Sequence, residues 1–163
     1  MTKNIGDMET VFLELIYDYQ KIIYKVCKTY RNGKEEQEDL FQEIVYQLWK
    51  SYPSFKGESK ISSWMYRIAL NTAIAVYRKS KLQVDYFDKM PEHRHSGMEQ
   101  QVSENEERLF DALRTLNDTE KALISLFLDD FTYQEIAAIT GITESNTGVR
   151  LNRIKNKLKK MLK

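Results

Sequence analysis

The sequence predicts an all-α protein made of two small helical domains joined by a flexible linker. Apolar residues recur at three- and four-residue steps almost throughout, the period of amphipathic helices, and no stretch alternates as a strand does. Helix breakers are scarce, six glycines and two prolines in 163 residues, so the few present read as punctuation. Residues 82–105 lose the periodicity and carry Pro91, Gly97 and scattered acids. They read as a linker between a first domain over residues 1–81 and a second over residues 106–163.

In the first domain, Met8, Val11, Phe12, Leu15, Tyr19, Ile22, Ile23, Val26 and Tyr30 lay one apolar stripe along a long helix, which Asn32 and Gly33 stop. A second helix turns Leu40, Phe41, Ile44, Val45 and Leu48 inward, and Pro53 and Gly57 bound the loop after it. A third runs from about Ile61 to Lys79 with Ile61, Met65, Ile68, Ala69, Thr72 and Val76 as its apolar stripe. Lys60, Trp64, Arg67, Asn71 and Arg78 form another seam on it, so cations, an amide and an indole share one face.

Beyond the linker the helical pattern resumes at Leu109, Leu113 and Leu116. Asn117 with Glu120, and Thr132 with Glu135, have the spacing of capping boxes. Gly141 supplies a left-handed stop and Thr143 caps the last helix. That helix is expected to bury Thr147, Leu151, Ile154, Leu158 and Met161. Ser145, Gly148, Val149, Asn152 and Asn156 would face away, flanked by Arg150, Arg153 and Lys155. Two helices joined at a glycine, the second basic, have the layout of a helix-turn-helix.

A net charge of +1 conceals strong segregation. Residues 35–43 hold five acids and no base, and residues 60–81 five bases and no acid. Residues 82–107 are net −5, and residues 144–163 are net +6. Two basic blocks separated by acidic ones suggest two surfaces for phosphate. Cys27 is the sole cysteine and falls on an apolar stripe, so it reads as a small buried side chain with no disulfide. His93 and His95 lack the carboxylates or thiols that would complete a metal site and read as solvated loop residues. No phosphate-binding glycine loop or nucleophile–base pair occurs, so neither enzyme chemistry nor a cofactor nor a small-molecule substrate is expected. No apolar run approaches the roughly 20 residues of a membrane span and nothing reads as a signal peptide, so a soluble, cytoplasmic protein is expected.

These pieces resemble a known family. The strings EDLFQE (38–43), LW (48–49), FKG (55–57) and SWMYRIALNTA (63–73) resemble region 2 of bacterial sigma-70 factors. LNDTE (116–120) and the helix-turn-helix TYQEIAAITGITESNTGVRLNRIK (132–155) resemble region 4. The short linker leaves no room for other regions, the architecture of the extracytoplasmic-function (ECF) group. The resemblance covers about residues 10–79 and 106–160.

The resemblance implies a transcription initiation factor that binds core RNA polymerase, directs it to promoters and helps melt the −10 element. It assigns core-polymerase binding to Asp39, Leu40, Gln42, Glu43 and Gln47, the polar four projecting opposite Leu40, Ile44 and Leu48 toward a basic clamp. It assigns the unpaired −10 strand to Ser62, Ser63, Trp64, Arg67, Asn71 and Arg78, with Asn71 receiving a flipped base. An aromatic face holds a base at roughly 1–3 kcal/mol, while cations track phosphate. Trp64 fits either that role or a place wedged into the core. The −35 duplex falls to Ser145, Asn146, Gly148, Val149, Arg150, Asn152, Arg153 and Lys155, with Asn152 suited to an adenine edge and Arg153 to guanine or phosphate. Gly148 departs from relatives that carry a polar or basic residue there. It either forgoes a base contact or lets the backbone approach the groove. An anti-sigma protein, often the cytoplasmic part of a membrane protein, is the further partner expected. A helix-turn-helix repressor or activator is the alternative; it would bind duplex tightly without polymerase and leave the Asn71 seam idle.

Overall fold

The computed structural model describes residues 5–78 and 103–163, with side chains described over residues 6–75 in the first of these segments. The side chains of Val76 and Arg78 therefore lie outside the described residues, as does the expected linker up to residue 102 with Pro91, His93, His95 and Gly97. All regular structure among the described residues is helical: α1 (Ile5–Tyr30), α2 (Lys34–Ser51), a single 3-10 turn at Tyr52–Ser54, α3 (Ile61–Arg78), α4 (Glu104–Arg114), α5 (Asp118–Leu128), α6 (Tyr133–Thr140) and α7 (Glu144–Met161).

α1, α2 and α3 pack pairwise around one interior. Phe12, Ile16, Ile23, Phe41, Ile44, Leu48, Met65 and Ala69 are completely buried there. Each such large side chain stabilises the bundle by roughly 1.5–3 kcal/mol through surface removed from water. The centre of the α1 stripe lies one position away from its sequence placement. Ile16 is buried, whereas Val11 is rotated outward and 51% exposed. Leu40 is 2% exposed and packed into this core, so it does not present itself to a partner; the α2 surface belongs to its polar neighbours. Cys27 is buried, and burial pushes its thiol up to about 12, which leaves it inert near neutral pH. Gly57 takes φ +73 in the loop before α3, a conformation that favours glycine.

The second half is set by its caps. Ser103 Oγ accepts from the Glu106 N–H (3.3 Å), so α4 begins two residues before the boundary that periodicity suggests. Both capping boxes form. The Glu120 N–H donates to Asn117 Oδ1 (2.8 Å), and the Asn117 N–H to Glu120 Oε1 (3.2 Å). The Glu135 N–H donates to Thr132 Oγ1 and the Thr132 N–H to Glu135 Oε1, both at 3.1 Å. Gly141 closes α6 at φ +81, and Thr143 Oγ1 accepts from the Asn146 N–H (3.1 Å) to start α7. Thr147, Leu151, Ile154 and Leu158 are buried as expected. Met161 is not: it is the last residue of α7, 45% exposed, with its sulfur against the Thr115 hydroxyl (3.4 Å).

The two halves touch one another. α1 packs on α4 and α5, and α3 packs on α5 and α6. The Tyr30 hydroxyl donates to the Asp118 carbonyl (2.9 Å) and the Arg114 guanidinium to the Lys28 carbonyl (2.8 Å), so polar backbone at the seam is satisfied.

Candidate nucleic-acid interface

Three surfaces carry the candidate residues. On α2, Asp39 is exposed and Gln42, Glu43 and Gln47 are half-buried. The Gln47 amide donates to Glu43 Oε1 (3.1 Å), one helical turn away. This fixes a carboxylate–amide pair on the wet face of the helix.

On α3, Arg67 and Asn71 are exposed, one turn apart, and Ser62 and Ser63 sit half-buried in the first turn. Asn71 forms no side-chain hydrogen bond among the described residues, so its amide is available. Trp64 is half-buried in an aromatic cluster, 4.8 Å from the Phe55 ring and 6.4 Å from that of Tyr52. Tyr52 in turn meets Phe12 (5.5 Å). The indole thus belongs chiefly to the wall of the bundle, bracing the loop before α3. Arg78, the remaining −10 candidate, has its side chain outside the described residues.

α3 has a second buried edge that sequence reading passed over. Tyr66, Leu70 and Ala73 are 1%, 3% and 0% exposed, at steps of four and three. That spacing was legible as a further apolar stripe, the mark of a helix covered on two sides. Tyr66 reaches across to the other half. Its hydroxyl donates to the Asp129 carboxylate, and its ring meets Phe131 edge-on (5.3 Å, 85°). Burial, then the bond to Asp129, raises the Tyr66 hydroxyl well above the usual tyrosine range.

On α7, Ser145, Asn146, Val149, Arg150, Asn152 and Arg153 are exposed on the outer face. Arg150, Arg153 and Lys157 also line a groove whose other wall is the amino end of α5, Asn117 to Glu120. Two candidates are placed differently. Gly148 is half-buried beside α6, where an added Cβ would lie 3.4 Å from Tyr133 Cε2. Lys155 folds back over the Phe127 ring (3.9 Å), its ammonium 3.4 Å from the Tyr133 hydroxyl. Tyr133 therefore occupies the room that a side chain at 148 would need, and Lys155 is held within the domain rather than extended outward.

Comparison with known proteins accounts for both halves. Residues 15–83 match sigma-70 region 2, and residues 106–158 match sigma-70 region 4. The RNA polymerase sigma factor SigV of Bacillus subtilis is 29% identical over 89% of this chain and 87% of its own length. YlaC of the same organism, also an RNA polymerase sigma factor, is 31% identical over 87% and 86%. The ECF RNA polymerase sigma factor SigW, again from Bacillus subtilis, is 34% identical over 50% of this chain and 42% of its own length. Two solved structures share the fold at a TM-score of 0.66. The sigma factor RpoE of Bartonella quintana, in complex with the anti-sigma factor NepR, is 22% identical, covering 97% of this chain and 96% of that one. CnrH, in complex with the cytosolic domain of CnrY, is 17% identical, covering 93% and 86%. A free-standing helix-turn-helix regulator would leave the region 2 match unexplained. With the acidic α2, the cationic α3 and the capped α6–α7 pair in the order that both region matches require, the chain belongs to the ECF group of the sigma-70 family of RNA polymerase sigma factors.

Proposed function

We propose that this sigma factor divides promoter recognition between α3 and α7 and docks on core RNA polymerase through α2. Asp39, Gln42, Glu43 and Gln47 give α2 an acidic and amide surface suited to a basic clamp, where complementary charge supplies orientation and fast encounter. Along α3, Arg67 tracks phosphate and Asn71 bonds the edge of a base taken out of the stack, with Ser62 and Ser63 shaping the entrance. Trp64 supports that pocket from behind. On α7, Asn152 and Arg153 read base edges in the major groove, Ser145 and Val149 line the same face, and Asn146 and Arg150 hold phosphate. Gly148 and Lys155 act indirectly, by seating Tyr133.

The chain supplies no covalent chemistry, and it works in the bacterial cytoplasm; among the described residues no helix is long and apolar enough to cross a membrane. The remaining partner is an anti-sigma protein, as NepR is for the structural neighbour RpoE of Bartonella quintana, and it covers the α2 surface until a signal removes it.

The observation that carries this reading is the exposed Arg67–Asn71 pair on α3 in the same chain as an outward-facing, capped recognition helix. Transcription reconstituted from bacterial core polymerase, this protein and a promoter library tests it. Start sites that appear only with the protein support the reading; their absence over core alone would overturn it.

A further inference from the structure

Two lysines of α7 turn back onto the protein, and they do so on opposite flanks of the helix. Lys155 and Lys157 are two residues apart, about 200° around an α-helix, so they straddle the buried stripe of Leu151, Ile154 and Leu158. Lys155 lies over the Phe127 ring (3.9 Å), near the end of α5. Lys157 reaches the start of the same helix, where its ammonium donates to Glu120 Oε2 (2.8 Å). α5 therefore grips α7 on both flanks.

The Glu120 end of this grip is prepared in advance. Its other carboxylate oxygen, Oε1, accepts from the Asn117 N–H (3.2 Å) in the capping box, which fixes the side chain before Lys157 meets it. The Glu120 side chain is 17% exposed and that of Lys157 54%. Arg150 and Arg153 line the same groove as Lys157, yet both are exposed and form no ion pair among the described residues. The cations around the stripe are thus sorted: Lys155 and Lys157 are engaged by the scaffold, and the two arginines are left to solvent.

Such a grip controls the roll of α7 about its own axis. Asn152 lies toward the Lys155 flank of the outer face and Arg153 toward the Lys157 flank, so a roll advances one and withdraws the other. Side chains reach about 5–6 Å from a helix axis, and a roll of about 20° moves their tips by about 2 Å. That is enough to break a hydrogen bond to a base edge.

We propose that Glu120 and Lys157 are positioning residues for reading the −35 element: with Lys155 opposite, their pair sets the roll that presents Asn152 and Arg153 to base edges, and Lys157 makes no contact with DNA phosphate. The inference rests on α7 being the −35 reader. It takes Lys157, one turn beyond Arg153, out of the charge that holds DNA and places it in the frame that aims the helix.

The test uses holoenzyme reconstituted from bacterial core polymerase and the full chain. It is bound to a duplex carrying a promoter that depends on the protein, and to the same duplex with its −35 element scrambled. The ratio of the two affinities reads aim, and the slope of log affinity against log salt reads phosphate contacts. Lys157→Met keeps the aliphatic stem and Glu120→Gln keeps a capping oxygen; each removes the ion pair. Each is expected to lower the ratio about threefold, the scale for a pair that solvent screens, with the slope unchanged. The double variant should be no worse than either single change, because both break one interaction. Lys157→Arg, which keeps the pair, should retain the wild-type ratio. Glu120→Gln is the most discriminating, since removing an acid beside DNA would tighten binding if charge alone were at work.

An unchanged ratio in Lys157→Met or Glu120→Gln would overturn the proposal. So would a slope reduced by about 1 in Lys157→Met with affinity falling equally for both duplexes, because Lys157 would then be a phosphate contact. Arg153→Ala keeps the two failures apart: it should lower the ratio, and a wild-type ratio there would refute α7 as the −35 reader and the inference with it. Should Glu120→Gln unsettle α5, Lys157→Met, which leaves the capping box intact, carries the same comparisons.

Discussion

Gly148→Ala separates the two explanations for a glycine in the recognition helix. A glycine inside a helix is about 0.8–1 kcal/mol less favourable than alanine, because its backbone loses more freedom. The new methyl would stand 3.4 and 3.6 Å from two carbons of the Tyr133 ring, ordinary packing distances, so contact adds to the gain rather than cancelling it. The variant should therefore be stabilised by nearly the full propensity difference. The buried residues of both halves form one continuous cluster, so the chain should melt as a unit. The midpoint then rises by about 2–4 °C; were α4–α7 to melt alone, the rise would be about 4–8 °C. Calorimetry reads the shift, and anisotropy with promoter duplex reads the consequence. If Gly148 exists to seat Tyr133, duplex affinity is unchanged. Weaker duplex binding at a raised midpoint would show that the bare backbone itself approaches DNA. A lowered midpoint would refute the packing argument, since it would mean that the ring cannot accept a methyl. Gly148→Leu, by contrast, should lower the midpoint, because a branched side chain must expel Tyr133 and with it the contact to Lys155.

Asn71→Ala should impair promoter opening while leaving closed-complex formation near wild type, since the amide has no structural partner among the described residues; permanganate footprinting against gel retardation distinguishes the steps. Arg153→Ala should weaken use of the −35 element by about 1–3 kcal/mol and leave core-polymerase binding intact, measured by competition transcription and by pull-down on core. Thr132→Ala removes one capping oxygen and should destabilise the chain by about 1 kcal/mol in denaturant melts. Acid should act on both capping boxes. The Thr132 backbone N–H, then Lys60, hold Glu135 below its ordinary 4.5. For Glu120, burial pushes the carboxyl up, but bonds from Lys157 and the Asn117 N–H outweigh it and leave it lowered as well. A depressed folded value means stability present above 4.5 and lost as the pH falls through the folded values. The melting midpoint should therefore hold from neutrality to about 4.5 and drop below it, and Glu120→Gln with Glu135→Gln should flatten that drop.

Local rules carried most of what was legible in the sequence. The N-caps at Asn117, Thr132 and Thr143 and the stop at Gly141 all depend on residues within one helical turn of one another, so spacing alone predicts them. The buried stripe of α7 from Thr147 to Leu158 is likewise periodic and covered from one side. Misreadings arose where a helix serves two neighbours. On α3 periodicity marks one apolar face, while Tyr66, Leu70 and Ala73, which lie beside the exposed cationic seam, are buried by the second half. Val11 was placed inside because a stripe gives a helix its face only to within about one residue of rotation. Leu40 sat within a motif implicated in polymerase contact, yet its side chain belongs to the core.

Helix type, helix ends and the segregation of charge were thus settled by the order of residues, because each follows from interactions between near neighbours along the chain. The partners of the side chains across the seam were not. Nothing local links Lys60 to Glu135, Arg67 to Ala138, or Tyr66 to Asp129; each pair is separated by dozens of residues and meets only after both helical groups have formed and packed. Tertiary packing alone therefore decided that Lys60 and Arg67 of the cationic seam meet α6.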